Sequence, residues 1–221
     1  MSLPRPVAAV VFDLDGLLID SESLLWVEME AVAREMGAEL PFATFQGLLG
    51  RTHAQNNAAL ALHFGQAFAL ADFHAEVSRR VRAVMALGVA LKAGAVELLD
   101  HLAEAGLPRA IATSSAREHV DLHLEPAFIG RFQTIVTRDL VSNFKPHPEP
   151  YLKAAEALGI APELCLALED SHNGVRSAAA AGMMTIMVPD LLDATEEMHG
   201  LCVRIAADLH EVRMLLGPVR P

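Results

Sequence analysis

The sequence predicts an α/β fold, in which helices cover both faces of a parallel sheet and an all-helical segment is inserted after the first strand. From residue 94 onward, short apolar stretches alternate with segments of helical periodicity. Between residues 21 and 88 apolar residues recur only at helical spacing, and glycine and proline divide this segment into about four helices. We therefore expect a core domain of residues 1–16 and 90–221 and a helical domain of residues 17–89.

The expected strands are short and apolar, and most end at polar residues; they are residues 7–12, 109–112, 134–137, 165–168 and 185–188. The expected core helices have apolar residues three or four positions apart; they are residues 95–104, 116–124, 149–158, 173–181 and 207–216. Ligands of such sheets bind beyond the carboxyl ends of the strands. Functional residues should therefore follow directly after strands.

Composition excludes several classes of protein. The net charge of −11, without a basic patch, opposes binding to nucleic acid and to anionic membranes. No apolar stretch is long enough to cross a bilayer, and no secretory signal is recognisable, so we expect a cytoplasmic protein, a monomer or weak dimer. Cys165 and Cys202 lie far apart in apolar surroundings, which predicts buried thiols rather than a disulfide or a zinc site.

The first strand ends in two carboxylates, Asp13 and Asp15. Alternate side chains of an extended strand share a face, so both should emerge together where Gly16 opens the backbone. Two like charges this close are unfavourable unless a cation offsets them, and magnesium or calcium prefers oxygen ligands. The alternative is a strand end with two solvated acids.

Two further strand ends carry candidate phosphate ligands. Thr113 and Ser114 follow residues 109–112, where hydroxyls and free N–H groups at a helix start could bind an anion or simply cap the helix. Ser115 is expected only to cap. Lys145 lies in the proline-rich loop beyond residues 134–137, the second of these strands. It could be a solvated charge, or it could bridge the aspartates and a phosphate.

A second pair of acids, Glu169 and Asp170, follows residues 165–168. Together with the first pair they could complete an oxygen-ligand site for Mg²⁺. The alternative is that one of them caps the next helix. Since four strand ends carry such residues, one shared site for magnesium and a phosphate explains them better than four separate coincidences.

Two other groups of residues are weaker candidates for a site. His119 and His123 have a spacing that could bind zinc, but no third ligand accompanies them, which favours a solvated helix face. Arg79, Arg80 and Arg82 in the helical segment could contact a substrate, although a solvated surface explains them better.

Taken in order, these motifs resemble those of the haloacid dehalogenase superfamily, in its aspartate-dependent phosphatase and phosphomutase branch. The four matching motifs are residues 12–16, 111–114, 145–146 and 168–171. The helical segment is similar to the four-helix cap of the subgroup that contains β-phosphoglucomutase and sugar-phosphate phosphatases, and residues 20–22 match that subgroup too. The resemblance implies a Rossmann-like core with an inserted cap.

The resemblance also implies roles. Asp13 would attack phosphorus and form an aspartyl-phosphate, while Asp15 would protonate the leaving oxygen and then activate water. The implied phosphate ligands are Thr113, Ser114 and Lys145. The implied magnesium ligands are Asp13, Asp15 (through its carbonyl), Asp170 and Glu169.

The second aspartate bears on the reaction, because a phosphate ester releases an alkoxide that needs a proton, whereas a halide does not. We therefore expect a Mg²⁺-dependent phosphatase acting on a small phosphorylated metabolite, a sugar phosphate above all. A phosphomutase is the first alternative, although the cap loop of the mutase carries an arginine where this sequence places His53, with Arg51 shifted in register. A non-catalytic phosphosugar-binding protein is the second. Glu22, Arg51 and His53 are the candidates for substrate contact.

Overall fold

The central feature is a six-stranded, all-parallel sheet with the strand order β3-β2-β1-β4-β5-β6. The strands are β1 (Ala9–Phe12), β2 (Arg109–Ala112), β3 (Thr134–Val136), β4 (Cys165–Glu169), β5 (Met184–Met187) and β6 (Arg204–Ile205). This computed structural model describes residues 3–51 and 53–218; for His53 it describes the backbone but not the side chain. The central position of β1 places its carboxyl end between those of β2 and β4.

Eleven α-helices are present in the described part of the chain. They are α1 (Ser21–Glu35), α2 (Phe42–Gln46), α3 (His53–Phe64), α4 (Leu70–Met85), α5 (Ala95–Glu104), α6 (Arg117–His123), α7 (Pro126–Ile129), α8 (Glu149–Leu158), α9 (His172–Ala180), α10 (Glu196–Leu201) and α11 (Leu209–Leu216). None of the described helices is long and apolar enough to cross a membrane.

Alternate residues of β1 are buried on opposite faces of the sheet. Val10 and Phe12 belong to the larger hydrophobic cluster, together with apolar residues of α5 and α11. Ala9 and Val11 belong to a second cluster, which contains Tyr151 of α8. Because both faces are covered, the strands are continuously apolar, as expected for a parallel sheet. The predicted fold class is confirmed.

The segment between β1 and α5 contains α1 to α4 and no named strand among its described residues. Its buried side chains form a hydrophobic cluster of their own, which includes Met29, Phe45 and Phe73. This is the position expected for the helical insertion. The division into domains at residues 16, 17, 89 and 90 stays a prediction.

Three short elements were not predicted: α7, α10 and the two-residue strand β6. Elements of this length contain too few residues for hydrophobic periodicity to identify. The last helix begins at Leu209 rather than at residue 207, because the Asp208 side chain accepts the N–H of Glu211 and caps the helix there. Cys165 is buried as expected, whereas Cys202 is only half-buried.

Candidate active site

Loops that carry the predicted polar residues leave one edge of the sheet. The Asp13 N–H donates to the Leu168 carbonyl at 3.0 Å, and the Thr113 N–H donates to the Val136 carbonyl at 2.9 Å. The parallel hydrogen bonding thus continues one residue past β1 and β2 before the loops diverge. Asp13, Thr113 and Asp170 therefore emerge from three adjacent strands.

A cleft of about 680 Å³ opens at this edge of the sheet. The predicted site residues that line it are Asp13, Asp15, Glu22, Arg51, Thr113, Ser114, Lys145 and Asp170. Glu169 is fully buried and is not a lining residue. The His53 side chain lies outside the described part of the chain, so its predicted role is not placed.

Lys145 joins two buried carboxylates. Its Nζ donates to Asp13 Oδ1 at 2.5 Å and to Glu169 Oε1 at 2.6 Å, and its side chain is only 6% exposed. Burial alone would lower the pKa of Lys145, but the charges of Asp13 and Glu169 outweigh it and raise that pKa. Lys145 is therefore a charged group. Of the two aspartates at the end of β1, Lys145 bonds Asp13, and its second partner is Glu169; that it bridges the aspartates and a phosphate stays a prediction.

Both oxygens of the Glu169 carboxylate accept hydrogen bonds. Oε1 accepts from Lys145 and from the Tyr151 hydroxyl, the latter at 2.5 Å, and Oε2 accepts from the N–H and hydroxyl of Ser171 at 3.3 and 3.1 Å. The alternative that Glu169 or Asp170 caps α9 is wrong, because the Ser171 hydroxyl accepts the Gly174 N–H and is the cap.

Gly174 in the first turn of α9 leaves the space that the Glu169 carboxylate occupies. A Cβ at residue 174 would lie 1.9 Å from the carboxylate carbon. We expect Gly174→Ala to lower the free energy of unfolding by about 2 kcal/mol, since overpacking outweighs the gain in helix propensity. Urea denaturation would measure this loss. Gly200→Ala in α10 is the control, because nothing lies within 4 Å of its Cβ, and it should be neutral or stabilising. Equal stability of both variants would contradict the expectation.

Asp15 is held by hydroxyl donors. Ser21 donates to Oδ1 at 2.8 Å, and Ser115 donates to Oδ2 at 2.7 Å. The Thr113 hydroxyl lies 3.5 Å from Oδ2 and accepts the N–H of Ser115 at 2.9 Å. Asp15 is thus fixed at the cleft by residues from two different segments, the start of α1 and the loop after β2.

Ser115 corrects an expectation. It was expected only to cap a helix, but α6 begins one residue later than expected, with Ala116 at the cap position. The hydroxyl of Ser115 is therefore available to bond Asp15. Its position three residues after the end of β2 was the available signal, and the assumption of an earlier helix start concealed it.

Three carboxylates form the group best suited to a divalent cation. Oxygens of Asp13, Glu169 and Asp170 lie within 4.8 Å of one another. Asp170 Oδ1 is buried and has no hydrogen-bond partner among the described residues. One oxygen of this group therefore has lone pairs that a cation could use. Oxygen ligands with an unsatisfied member fit Mg²⁺. Gly16 makes this packing possible, because it has a positive φ of 82° and a Cβ there would lie 2.3 Å from Asp170 Oδ2.

Burial and the crowding of acids also raise the pKa values of three carboxyl groups at the site. Burial, partly countered by Lys145 and increased by Glu169 and Asp15, raises the pKa of Asp13 to about 8, and burial raises the pKa of Asp170. Burial and the nearby charge of Asp190 raise the pKa of Glu22 to about 8. A cation at these carboxylates would favour their ionised forms, which is a physical reason to expect one.

Glu149 at the start of α8 organises the loop that carries Lys145. Its carboxylate accepts the N–H groups of Ser142 and Asn143 and the Asn143 amide, each at 2.9 Å. These bonds, with the Ser142 N–H contributing most, lower the pKa of Glu149 to about 2. Reasoning from the sequence missed this residue, for which an acid near a helix start was the only signal.

Glu149→Gln should destabilise the protein in a pH-dependent way. A lowered pKa stabilises the fold above the ordinary value of 4.5, and this stabilisation is lost as pH falls toward 2. The difference in unfolding free energy between wild type and variant should therefore be constant above about pH 5 and shrink below it. Urea denaturation across pH would measure this difference. Glu156→Gln, an exposed position on the same helix, should show no such trend; a constant difference down to pH 3 for Glu149→Gln would count against the interpretation.

Besides the bond from Ser21 to Asp15, two further hydrogen bonds connect the helical segment to the core near the cleft. The Asn173 amide donates to the Gly50 carbonyl, and Gln46 Nε2 donates to the Leu191 carbonyl at 2.8 Å. Asn173 Oδ1 accepts from Arg176 Nη1 at 2.9 Å, which orients the amide. Asn173, Arg138 and Phe144 also line the cleft and were not predicted.

The geometry defines a class of protein: an α/β protein with a parallel sheet that carries two acids, a buried lysine and a candidate cation site at the carboxyl ends of its strands. A family model described as haloacid dehalogenase-like hydrolase matches residues 7–182. The chain belongs to this family.

Individual relatives agree with that assignment. The Drosophila melanogaster protein named "Probable pseudouridine-5'-phosphatase" is 35% identical over 196 residues, 84% of this chain and 83% of that protein. Hexitol phosphatase A of Escherichia coli (strain K12) is 33% identical over 180 residues, 80% of this chain and 81% of the relative. The crystal structure of CbbY from Rhodobacter sphaeroides in complex with phosphate has a TM-score of 0.75 and 29% identity, covering 93% of this chain and 96% of that one. The names confirm the expected enzyme class, a phosphoric monoester hydrolase.

Proposed function

We propose that this protein is a Mg²⁺-dependent phosphatase that hydrolyses a small phosphorylated metabolite, a sugar phosphate, through a phosphoryl group on Asp13. The observation that carries the proposal is the arrangement of Asp13, which is bonded to a buried lysine and lies beside an uncommitted oxygen of Asp170. The name of the hexitol phosphatase supports the substrate class.

In the proposed first step the Asp13 carboxylate attacks phosphorus, and the bond from phosphorus to the ester oxygen breaks. Asp15 transfers a proton to that oxygen, so the product leaves as a neutral alcohol. In the second step Asp15 takes a proton from a water molecule that attacks the same phosphorus. Inorganic phosphate leaves and Asp13 is regenerated. The hydroxyls of Ser21 and Ser115 keep Asp15 in place for both transfers.

The remaining residues position and neutralise charge. Thr113, Ser114 and Lys145 would hold oxygens of the transferred phosphoryl group. Asp13 and Asp170, with the carbonyl of Asp15, would hold Mg²⁺. Glu169 would act from behind Lys145, because its own oxygens already have donors. Bound magnesium would supply positive charge to the phosphoryl oxygens in an otherwise acidic protein. Glu22 and Arg51 line the cleft and remain the candidates for contact with the leaving group.

The test is phosphate release from a panel of sugar and polyol phosphates. Removing divalent cations with EDTA should lower kcat/KM by about 100-fold or more, and Mg²⁺ should restore it. Full activity in excess EDTA would contradict the metal dependence. A folded wild-type protein that binds Mg²⁺ but releases no phosphate from the whole panel would contradict the proposed activity.

Two alternatives remain separable by assay. A phosphomutase would interconvert glucose 1- and 6-phosphates with little free phosphate, so a coupled isomer assay beside the phosphate assay distinguishes it. A non-catalytic phosphosugar-binding protein would bind the sugar phosphate without forming the aspartyl-phosphate analogue with fluoroberyllate. We also propose a cytoplasmic monomer or weak dimer with no nucleic-acid or membrane partner, which size-exclusion chromatography and cell fractionation would test.

A further inference from the structure

A second recess, of about 310 Å³, adjoins the cleft, and the two share Asp15 and Glu22. Asp15 lies at the recess with Ser21 and Ser115, whose hydroxyls donate to its carboxylate. Helices α1, α4 and α6 supply the walls. The proposed proton donor therefore faces two cavities rather than one.

The walls of the recess are mainly apolar, formed by Leu25, Val77, Val81, Met85 and Leu122. Two histidines of α6, His119 and His123, also line it, with ring centroids 5.7 Å apart and ring planes 28° apart. Their spacing could bind zinc, but the sequence favoured a solvated helix face, and the structure places them at the side of a recess beside the proposed proton donor.

One of the three arginines of α4 lines this recess, and its ion pairing differs from that of the other two. Arg79 and Arg80 are both paired with Glu76, at 2.7 Å. Arg82, by contrast, lines the recess and has no ion pair among the described residues of the chain. A charged group without an ion pair among the described residues thus lines a mainly apolar recess.

We propose that this recess binds a flat, weakly polar ring in the leaving group, so that among phosphorylated metabolites, sugar phosphates included, the preferred substrates are those whose alcohol carries such a ring. The inference rests on the proposed function, because it takes Asp15 as the donor to the ester oxygen. Atoms attached to that oxygen must lie next to Asp15, where the recess begins. Sugar hydroxyls would lose hydrogen bonds against its aliphatic walls, whereas a ring can pack between those walls and the imidazoles.

The experiment compares benzyl phosphate with methyl phosphate, two esters of alcohols with similar acidity, using the full chain with Mg²⁺. Wild type should have a kcat/KM for benzyl phosphate about tenfold above that for methyl phosphate. Ser78→Trp fills the recess from an exposed position on α4 and should lower this ratio by about tenfold. Leu122→Trp narrows the recess from α6 and should lower the ratio too, which keeps the test valid if one variant does not fold.

Ala83→Trp is the matched control, since it adds the same side chain to an exposed position of α4 that does not line the recess. It should keep the wild-type ratio. A ratio that neither recess variant changes, or hydrolysis of sugar phosphates without hydrolysis of benzyl phosphate, would overturn the inference and leave the proposed function intact. Failure to release phosphate from either ester and from the whole sugar-phosphate panel would overturn both.

Discussion

Asp13→Asn should abolish phosphate-ester hydrolysis, lowering kcat by about 10⁴-fold or more. An amide has nearly the same shape as a carboxylate, but it cannot attack phosphorus effectively. The variant should remain folded, because Lys145 keeps Glu169 as a partner and one buried acid with a pKa near 8 is removed. Phosphate release with Mg²⁺ and a thermal unfolding curve would measure both effects.

The control and a second readout make this test specific to the nucleophile. Asp72→Asn, an exposed position in the first turn of α4, should keep wild-type kcat. Mass spectrometry of quenched reactions should find a phosphoryl group on wild-type Asp13 and none on the variant. If the folded Asp13→Asn protein kept more than about a hundredth of wild-type kcat, Asp13 would not be the nucleophile.

Lys145→Met should damage both stability and activity. Lys145 Nζ is the common partner of Asp13 and Glu169, and the variant leaves these buried carboxylates without their cation. We expect a loss of about 3–5 kcal/mol in the free energy of unfolding. We also expect a loss of about 10³-fold in kcat, since one preorganised charge near the phosphoryl oxygens is gone. Urea denaturation and steady-state kinetics would give the two numbers.

The stability loss should depend on pH in a definite direction. Without Lys145 the buried acids take up protons more readily in the folded state than in the unfolded chain, so the variant is stabilised as pH falls. Its deficit should therefore be larger at pH 8 than at pH 5. Lys153→Met, which removes a half-exposed lysine from α8, should cost less than about 1 kcal/mol.

A double variant separates charge from packing. Lys145→Met with Glu169→Gln removes one of the two uncompensated acids, so part of the lost stability should return, while kcat stays low. A double variant no more stable than Lys145→Met alone would mean that the loss comes from packing around the lysine rather than from unpaired charge.

Several parts of this architecture follow from local sequence alone. The bounds of β2, α5 and α8 agree with the predicted ranges. The two helices have apolar residues at helical spacing and a glycine soon after their last residue, and the strand is a short apolar run followed by polar residues. Apolar strands followed by acids and hydroxyls also predicted one edge at which Asp13, Thr113 and Asp170 would meet. Parallel topology makes that meeting obligatory, since the carboxyl ends of neighbouring parallel strands lie at the same edge.

The partners of the site residues did not follow from sequence. Lys145 and Asp13 are separated by 132 positions, and the choice of Glu169 over Asp15 as the second partner of the lysine depends on loop paths that no local pattern encodes. The same holds for the bond from Ser115 to Asp15, which depends on α6 beginning after Ala116.

Sequence by itself determined the class of chemistry, because the order of strands and polar residues places two acids, hydroxyls, a lysine and a further acid at one edge. Only the tertiary structure decided how the charges are shared. Burial makes each unpaired charge costly. Gly16 and Gly174 leave the space in which Asp170 and Glu169 pack, and in this packing Lys145 pairs with Asp13 and Glu169 while Asp170 keeps a free oxygen for a cation.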